Sequence, residues 1–350
     1  MTEGIDINKF QEVLSKELGE DLVVTGLEKV GEGYHSDGFK LLTNKGEFFI
    51  KKVKSEDFGF ELPERKIYSL LLSEGMARRA NANPKMIGVL VGNDGEIEKL
   101  PTVNSQTEIY HIQAFGGKGK SYLEILQEKK YKQKIDEKDT EEIQKLVDFI
   151  AKVHSLKHPS SDGGKLKAVY NDCLRNVISN PELTMVLLQD FPNDHVVFPL
   201  EAQKNYLALM YDLISRFKDR SERLTALHGD FWGANCFFSE NEELFVVDYS
   251  RMPWGDPGID IGWFVCQYLW LYHETKNEYF KELGELFLKK YEEKTGDKEI
   301  REGMSLIMGL QGVIYLLPKF YPNRDKEVSE MFMQNIVDIM KAGRFKWNRI

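Results

Sequence analysis

Apolar residues recur at helical spacing over residues 7–19 (INKFQEVLSKELG), which predicts an amphipathic helix that stops at Gly19. Strand-like runs follow at Leu22–Val30, Phe39–Thr43 and Glu47–Val53, and Asn44-Lys45-Gly46 has hairpin-turn chemistry. Pro63 can open a helix at its first turn, and Glu64–Leu72 continues with helical spacing. Two more strands are expected at Met86–Val91 and Thr107–Phe115, with Asn93-Asp94-Gly95 as a turn between them. The stretch Gly116-Gly117-Lys118-Gly119 breaks the pattern and is the expected hinge. Beyond it helical periods dominate: Lys138–Leu156, Ala202–Arg220, Ile259–Glu274, Tyr279–Thr295, Gly303–Leu317 and Glu327–Lys341. Residues 226–250 stand apart as a short zone of loop and strand. The pattern therefore predicts an α+β chain, with a small sheet lobe over 1–115 and a larger helical lobe over 116–350.

Composition narrows the class. The 350 residues are 42% hydrophobic and 29% charged, as in globular proteins that fold around a core. A formal net charge of -9 with mixed signs supplies no basic face, so nucleic acid is not an expected partner. Cys173, Cys236 and Cys266 are too few and too scattered for a disulfide framework or a zinc site. The opening MTEGIDINKF carries no basic-then-apolar signal segment. The most apolar stretch, Ile259–Tyr272, is interrupted by Asp260 and Gln267 and is too short to span a bilayer. A buried helix, no membrane partner and a cytoplasmic location are the expectations.

The most informative segment is Leu227–Phe238 (LHGDFWGANCFF), followed by the strand-like Glu243–Val247 ending in Asp248. His228-Gly229-Asp230, then Asn235, then Asp248, then Gly255-Asp256-Pro257 with Asp260, form a conjunction that ordinary turn residues rarely produce. It resembles the aminoglycoside phosphotransferase and choline kinase family. That resemblance implies a bilobal protein-kinase-like fold and transfer of the γ-phosphate of ATP to a hydroxyl of a small molecule. Such chemistry needs a carboxylate to orient the attacking hydroxyl and take its proton, and hard oxygen ligands for magnesium. By resemblance Asp230 is the catalytic base, and Asn235 and Asp248 are the magnesium ligands. Asp256 and Asp260 are expected to brace or cap the helix that starts near Ile259. Phe149–Leu156 (FIAKVHSL) resembles the helix that precedes the catalytic loop, with His154 and His228 as supports.

Family members hold ATP with a strand lysine braced by a helix carboxylate. In Phe48-Phe49-Ile50-Lys51-Lys52 the apolar-apolar-Lys match favours Lys51 over Lys52, and alternation puts Phe49 and Lys51 on one face. Glu64 is the expected partner, with Glu61 second. The loop Gly31–Gly38 lies where phosphates would be covered, with Gly31, Gly33 and Ser36 as candidate contacts. Backbone groups from Ile112 to Phe115, including those of Gln113 and Phe115, would read the adenine edge.

A protein kinase is the nearest rival, but Trp232 stands where such enzymes carry lysine, and Asp248-Tyr249-Ser250 replaces Asp-Phe-Gly. A catalytically silent ATP-binding or scaffold protein of the same fold is the other reading. Aminoglycosides, choline or ethanolamine, methylthioribose, thiamine, homoserine and other sugars or amino alcohols all remain open as acceptors. Trp232, Trp254, Trp263, Trp270 and Tyr268 are candidates to line the acceptor pocket, and Glu274 could meet a cationic one.

Overall fold

A computed structural model describes residues 7–19, 21–32, 36–53, 86–92, 108–114, 117–179, 186–249 and 252–347. Contacts divide the chain into two compact units, one of Met1–Lys118 with Phe245–Tyr249 and one of Gly119–Leu244 with Ser250–Ile350. The fold is mixed, with a small sheet region and a larger helical part.

The first unit is built on a five-stranded antiparallel sheet. Its strands are β1 (Val24–Glu32), β2 (Ser36–Thr43), β3 (Gly46–Val53), β4 (Met86–Gly92) and β5 (Glu108–Ala114), in the order β1-β2-β3-β5-β4. Helix α1 (Ile7–Leu18) lays Phe10 and Leu14 against Leu22, Phe39, Leu41, Phe48 and Ile50. Phe39, Leu41, Phe48 and Ile50 face α1 because side chains alternate along a strand, so Phe49 and Lys51 fall on the other face of β3. The strands run further into the glycine-rich loop than expected: Gly31 pairs with Gly38 and Glu32 with Asp37. The helix expected after Pro63, with Glu61 and Glu64, lies outside the described residues.

The second unit begins with β6 (Gly119–Ser121) and α2 (Tyr122–Glu128). Helices α3 (Glu137–Ser155), α4 (Gly163–Ser179), α5 (Val186–Gln189) and α6 (Leu200–Ser215) follow. Short strands β7 (Thr225–Ala226), β8 (Cys236–Ser239) and β10 (Trp254–Gly255) occupy the loop zone, while β9 (Leu244–Val246) falls largely in the Phe245–Tyr249 strip of the first unit. Helices α7 (Gly258–Thr275), α8 (Glu278–Thr295), α9 (Ile300–Gly303), α10 (Ser305–Leu316) and α11 (Lys326–Ala342) complete it. Every residue of α7 from Gly258 to His273 is buried, which is why its sequence is apolar almost all round. Gly258 and Gly262 let α7 approach the Gly303–Ile307 backbone too closely for a Cβ at either position. The helix expected over Gly303–Leu317 is α10, and the separate short α9 ends just ahead of it at Gly303, which is pressed against Gly258 and the Asp256 carboxylate. Among the described residues no helix is long and apolar enough to cross a membrane.

Candidate active site

In the first unit, β3 presents Lys51 opposite Gly38 on β2 and His111 on β5. Gly38 is glycine for a steric reason, since a Cβ there would lie 2.9 Å from the Phe49 ring. No such demand exists at Gly31, where added bulk would meet open space. Lys51 Nζ donates to Asp248 Oδ1 at 2.7 Å, with the two side chains 21% and 29% exposed. Asp248 adopts φ 68, a left-handed conformation that non-glycine residues seldom take and that recurs at functional positions. Lys52 pairs in register with Asp37 and Tyr110. Ser36 opens β2 opposite Val53, and Gln113 pairs with Phe49 and Met86. Gly33, Glu64 and Phe115 lie outside the described residues.

In the second unit, the segment from Leu227 to Phe231 is buried and is held by hydrogen bonds to its backbone. The Asp260 carboxylate, fully buried in the first turn of α7, accepts the amides of His228 at 2.7 Å and Gly229 at 2.8 Å. It also meets His154 Nε2 at 3.1 Å, while His154 Nδ1 lies 2.7 Å from the Tyr291 hydroxyl. For neutral imidazole, Nε2–H donates to Asp260 and Nδ1 accepts from Tyr291. A buried carboxylate with three donors is satisfied, so the desolvation cost of Asp260 is offset locally. Gly229 sits at φ 84, and a Cβ there would lie 2.6 Å from the Met252 backbone nitrogen. Only glycine meets both demands.

This scaffold carries Asp230 and Asn235. Asp230 donates its amide to His228 Nδ1 at 3.3 Å, and the His228 ring stands edge-on to Phe149 and Phe231. Asn235 ends a 3-10 turn over Gly233–Asn235 and donates through Nδ2 to Asp230 O at 2.9 Å and Asp230 Oδ2 at 3.0 Å. The candidate base and the candidate metal-ligand amide are thus hydrogen-bonded partners. The Cys236 thiol beside them is buried, which pushes its pKa well up and keeps it a neutral, poor ligand for a hard cation.

Asp256 works differently from Asp260. It accepts two hydrogen bonds from Arg223, at 2.6 and 3.0 Å, and one from the Tyr170 hydroxyl at 3.2 Å. It also takes the Gly258 amide at 2.9 Å, which caps α7. Asp260 therefore braces the loop rather than its own helix. Sequence reasoning found both aspartates but missed Arg223 and Tyr291, which no local motif marks. Of the aromatic candidates, Trp270 stacks on Tyr315 and lies 3.8 Å beneath the Arg324 guanidinium, and Tyr268 bonds to Tyr122. Glu274 meets Lys130 at 3.0 Å and Arg324 at 3.5 Å, so its charge already has partners within the chain.

The model of the phosphotransferase enzyme family matches residues 26–303. No curated protein matches the sequence. Among solved structures, a provisional fructosamine-3-kinase of Haemophilus somnus is similar, with 15% identity, 93% of this chain and 96% of that chain covered, and a TM-score of 0.53. A thermostable mutant of an aminoglycoside phosphotransferase in its apo form has 15% identity over 95% and 99% of the two chains, with a TM-score of 0.52. The ternary complex of that protein with ADP and hygromycin B gives 12%, 96% and 99%, and 0.52. With most of its length matched by the family model, the chain belongs to the phosphotransferase enzyme family and is a phosphotransferase of protein-kinase-like fold.

Proposed function

We propose that this phosphotransferase uses ATP and magnesium to phosphorylate a hydroxyl of a small molecule, with Asp230 as the base. The observation that carries the reading is the Asp230–Asn235 pair, held on a loop whose amides end on the buried Asp260. Aspartate oriented in this way can accept the proton of an attacking hydroxyl without first reorganising. A neighbour of the same fold that carries ADP and hygromycin B supports nucleotide and small-molecule use.

The donors fit magnesium. Asn235 spends its Nδ2 on Asp230, which leaves the amide oxygen for a cation, and Asp248 is the proposed carboxylate ligand. Among the described residues no group of three or more His, Cys, Asp or Glu could hold a metal alone. Phosphate oxygens would supply the remaining ligands of the ion. Bound magnesium would neutralise charge on the triphosphate. Lys51 would hold phosphate oxygens while keeping Asp248 as its carboxylate partner. Glu64 is proposed as the helix carboxylate that braces Lys51, and Gly31, Gly33 and Ser36, with backbone groups of Gln113 and Phe115, complete the proposed nucleotide contacts.

The test is a screen of hydroxyl compounds for acceptor-stimulated ADP release, run on wild type and Asp230→Asn. The variant should bind nucleotide and lose transfer by about 10²–10⁴-fold, the usual contribution of a positioned base. Transfer at the wild-type rate would remove Asp230 from the mechanism.

A further inference from the structure

Gln267 is buried in the middle of the apolar α7, at 1% exposure, where a leucine would cost nothing in desolvation. Its side chain is directed at the catalytic loop: Oε1 accepts the Gly233 amide at 3.0 Å. Gly233 opens the 3-10 turn that ends in Asn235, and the Asn235 amide closes that turn on Trp232 O at 3.0 Å. A Cβ on Gly233 would collide with Gln267 Oε1 and lie 3.0 Å from the Leu123 amide nitrogen. The turn is therefore clamped between α7 and the first turn of α2, which is itself fixed by the Ser121–Glu124 capping box. Among the described residues Gln267 Nε2 has no hydrogen-bond partner.

We infer that Gln267 is a positioning residue for the metal site: its Oε1, through the Gly233 amide, sets where Asn235 stands. This inference rests on the reading of Asn235 as a magnesium ligand. Asn235 is also the hydrogen-bond partner of Asp230, so the same contact bears on the position of the base. Groups that orient metal ligands from behind commonly account for 10–100-fold in metal affinity.

Two variants separate this role from simple packing. Gln267→Met keeps the volume and loses the acceptor, whereas Gln267→Glu keeps an acceptor oxygen in either protonation state but puts an ionisable group in the core. A packing role predicts that Glu is the more damaging of the two, and a positioning role predicts the reverse. The probe is Mn2+ with ADP, followed by the electron paramagnetic resonance of free Mn2+, alongside melting temperature and hydrogen exchange of the Gly233 amide. Gln267→Met should weaken Mn2+ binding about 10–100-fold and deprotect Gly233. Gln267→Glu should stay within about threefold of wild type even if its melting temperature falls further. Equal Mn2+ affinity in wild type and Gln267→Met, or affinities that simply follow melting temperature, would overturn the inference. Asn235→Ala is the control: if it leaves Mn2+ binding intact, the reading of Asn235 fails first. If it weakens binding while Gln267→Met does not, only the role of Gln267 fails.

Discussion

Gly229 joins two constraints that no other side chain satisfies, a left-handed φ of 84 and a Cβ position 2.6 Å from the Met252 nitrogen. Gly229→Ala should destabilise the second unit by about 3 kcal/mol, from backbone strain plus overpacking. It should also lower phosphate transfer, because the loop that carries Asp230 must shift. Chemical denaturation and acceptor-stimulated ADP release measure the two effects, and a wild-type transition would refute the steric argument. Asp230, Asn235 and Asp248 were legible in the sequence as candidates because they stand at the offsets of a motif. Gln267 was not, because its function depends on a contact with Gly233, 34 residues away, and nothing in α7 signals it. Lys51 was legible as a face of β3 through the period of two, but its bond to Asp248 across 197 residues was not.

At the scale of elements, helical periods located α3, α8 and α11 to within a few residues, since each keeps an apolar stripe and a side-chain N-cap, and α7 was located by its long apolar run. The expectation missed the short α9 ahead of Met304 and ran too far where the last turns of α6 tighten into i→i+3 bonds after Leu213. The first turn of α3 shows a further property that sequence conceals. Asp139 is fully buried, and it is bonded by Lys129 at 2.8 Å, Lys132 at 2.7 Å and the Tyr279 hydroxyl at 2.9 Å. Burial pushes its pKa up, but the two lysines outweigh that and hold it at about 2. A folded pKa below the unfolded value of 3.8 means stability that is complete above pH 4 and is lost as pH falls through 2. The contribution is about 2 kcal/mol. Stability measured from pH 5 down to 2 should therefore fall less steeply in Asp139→Asn, which starts lower, than in wild type. Parallel slopes would show that the lysine pairs do not act on Asp139.

For the whole molecule, membership of the family fixes the type of reaction and leaves the acceptor open, because acceptor contacts come from side chains that no motif specifies. Ligand linkage offers a test that needs no acceptor. ADP with magnesium at a hundredfold excess over its dissociation constant should stabilise the fold by about 2.7 kcal/mol, seen as a rise of several degrees in melting temperature. EDTA should remove most of that rise if magnesium is part of the nucleotide complex, and an undiminished rise would exclude it. The discontinuous make-up of the first unit has a consequence in time. Its last strip, Phe245–Tyr249, reaches Met1–Lys118 only after residues 119–244 have been made. At ribosomal speed that delay is on the order of ten seconds. A nascent chain stalled before Asp248 holds the sheet strands without the carboxylate that receives Lys51, so the first unit is finished late in synthesis although it is encoded first.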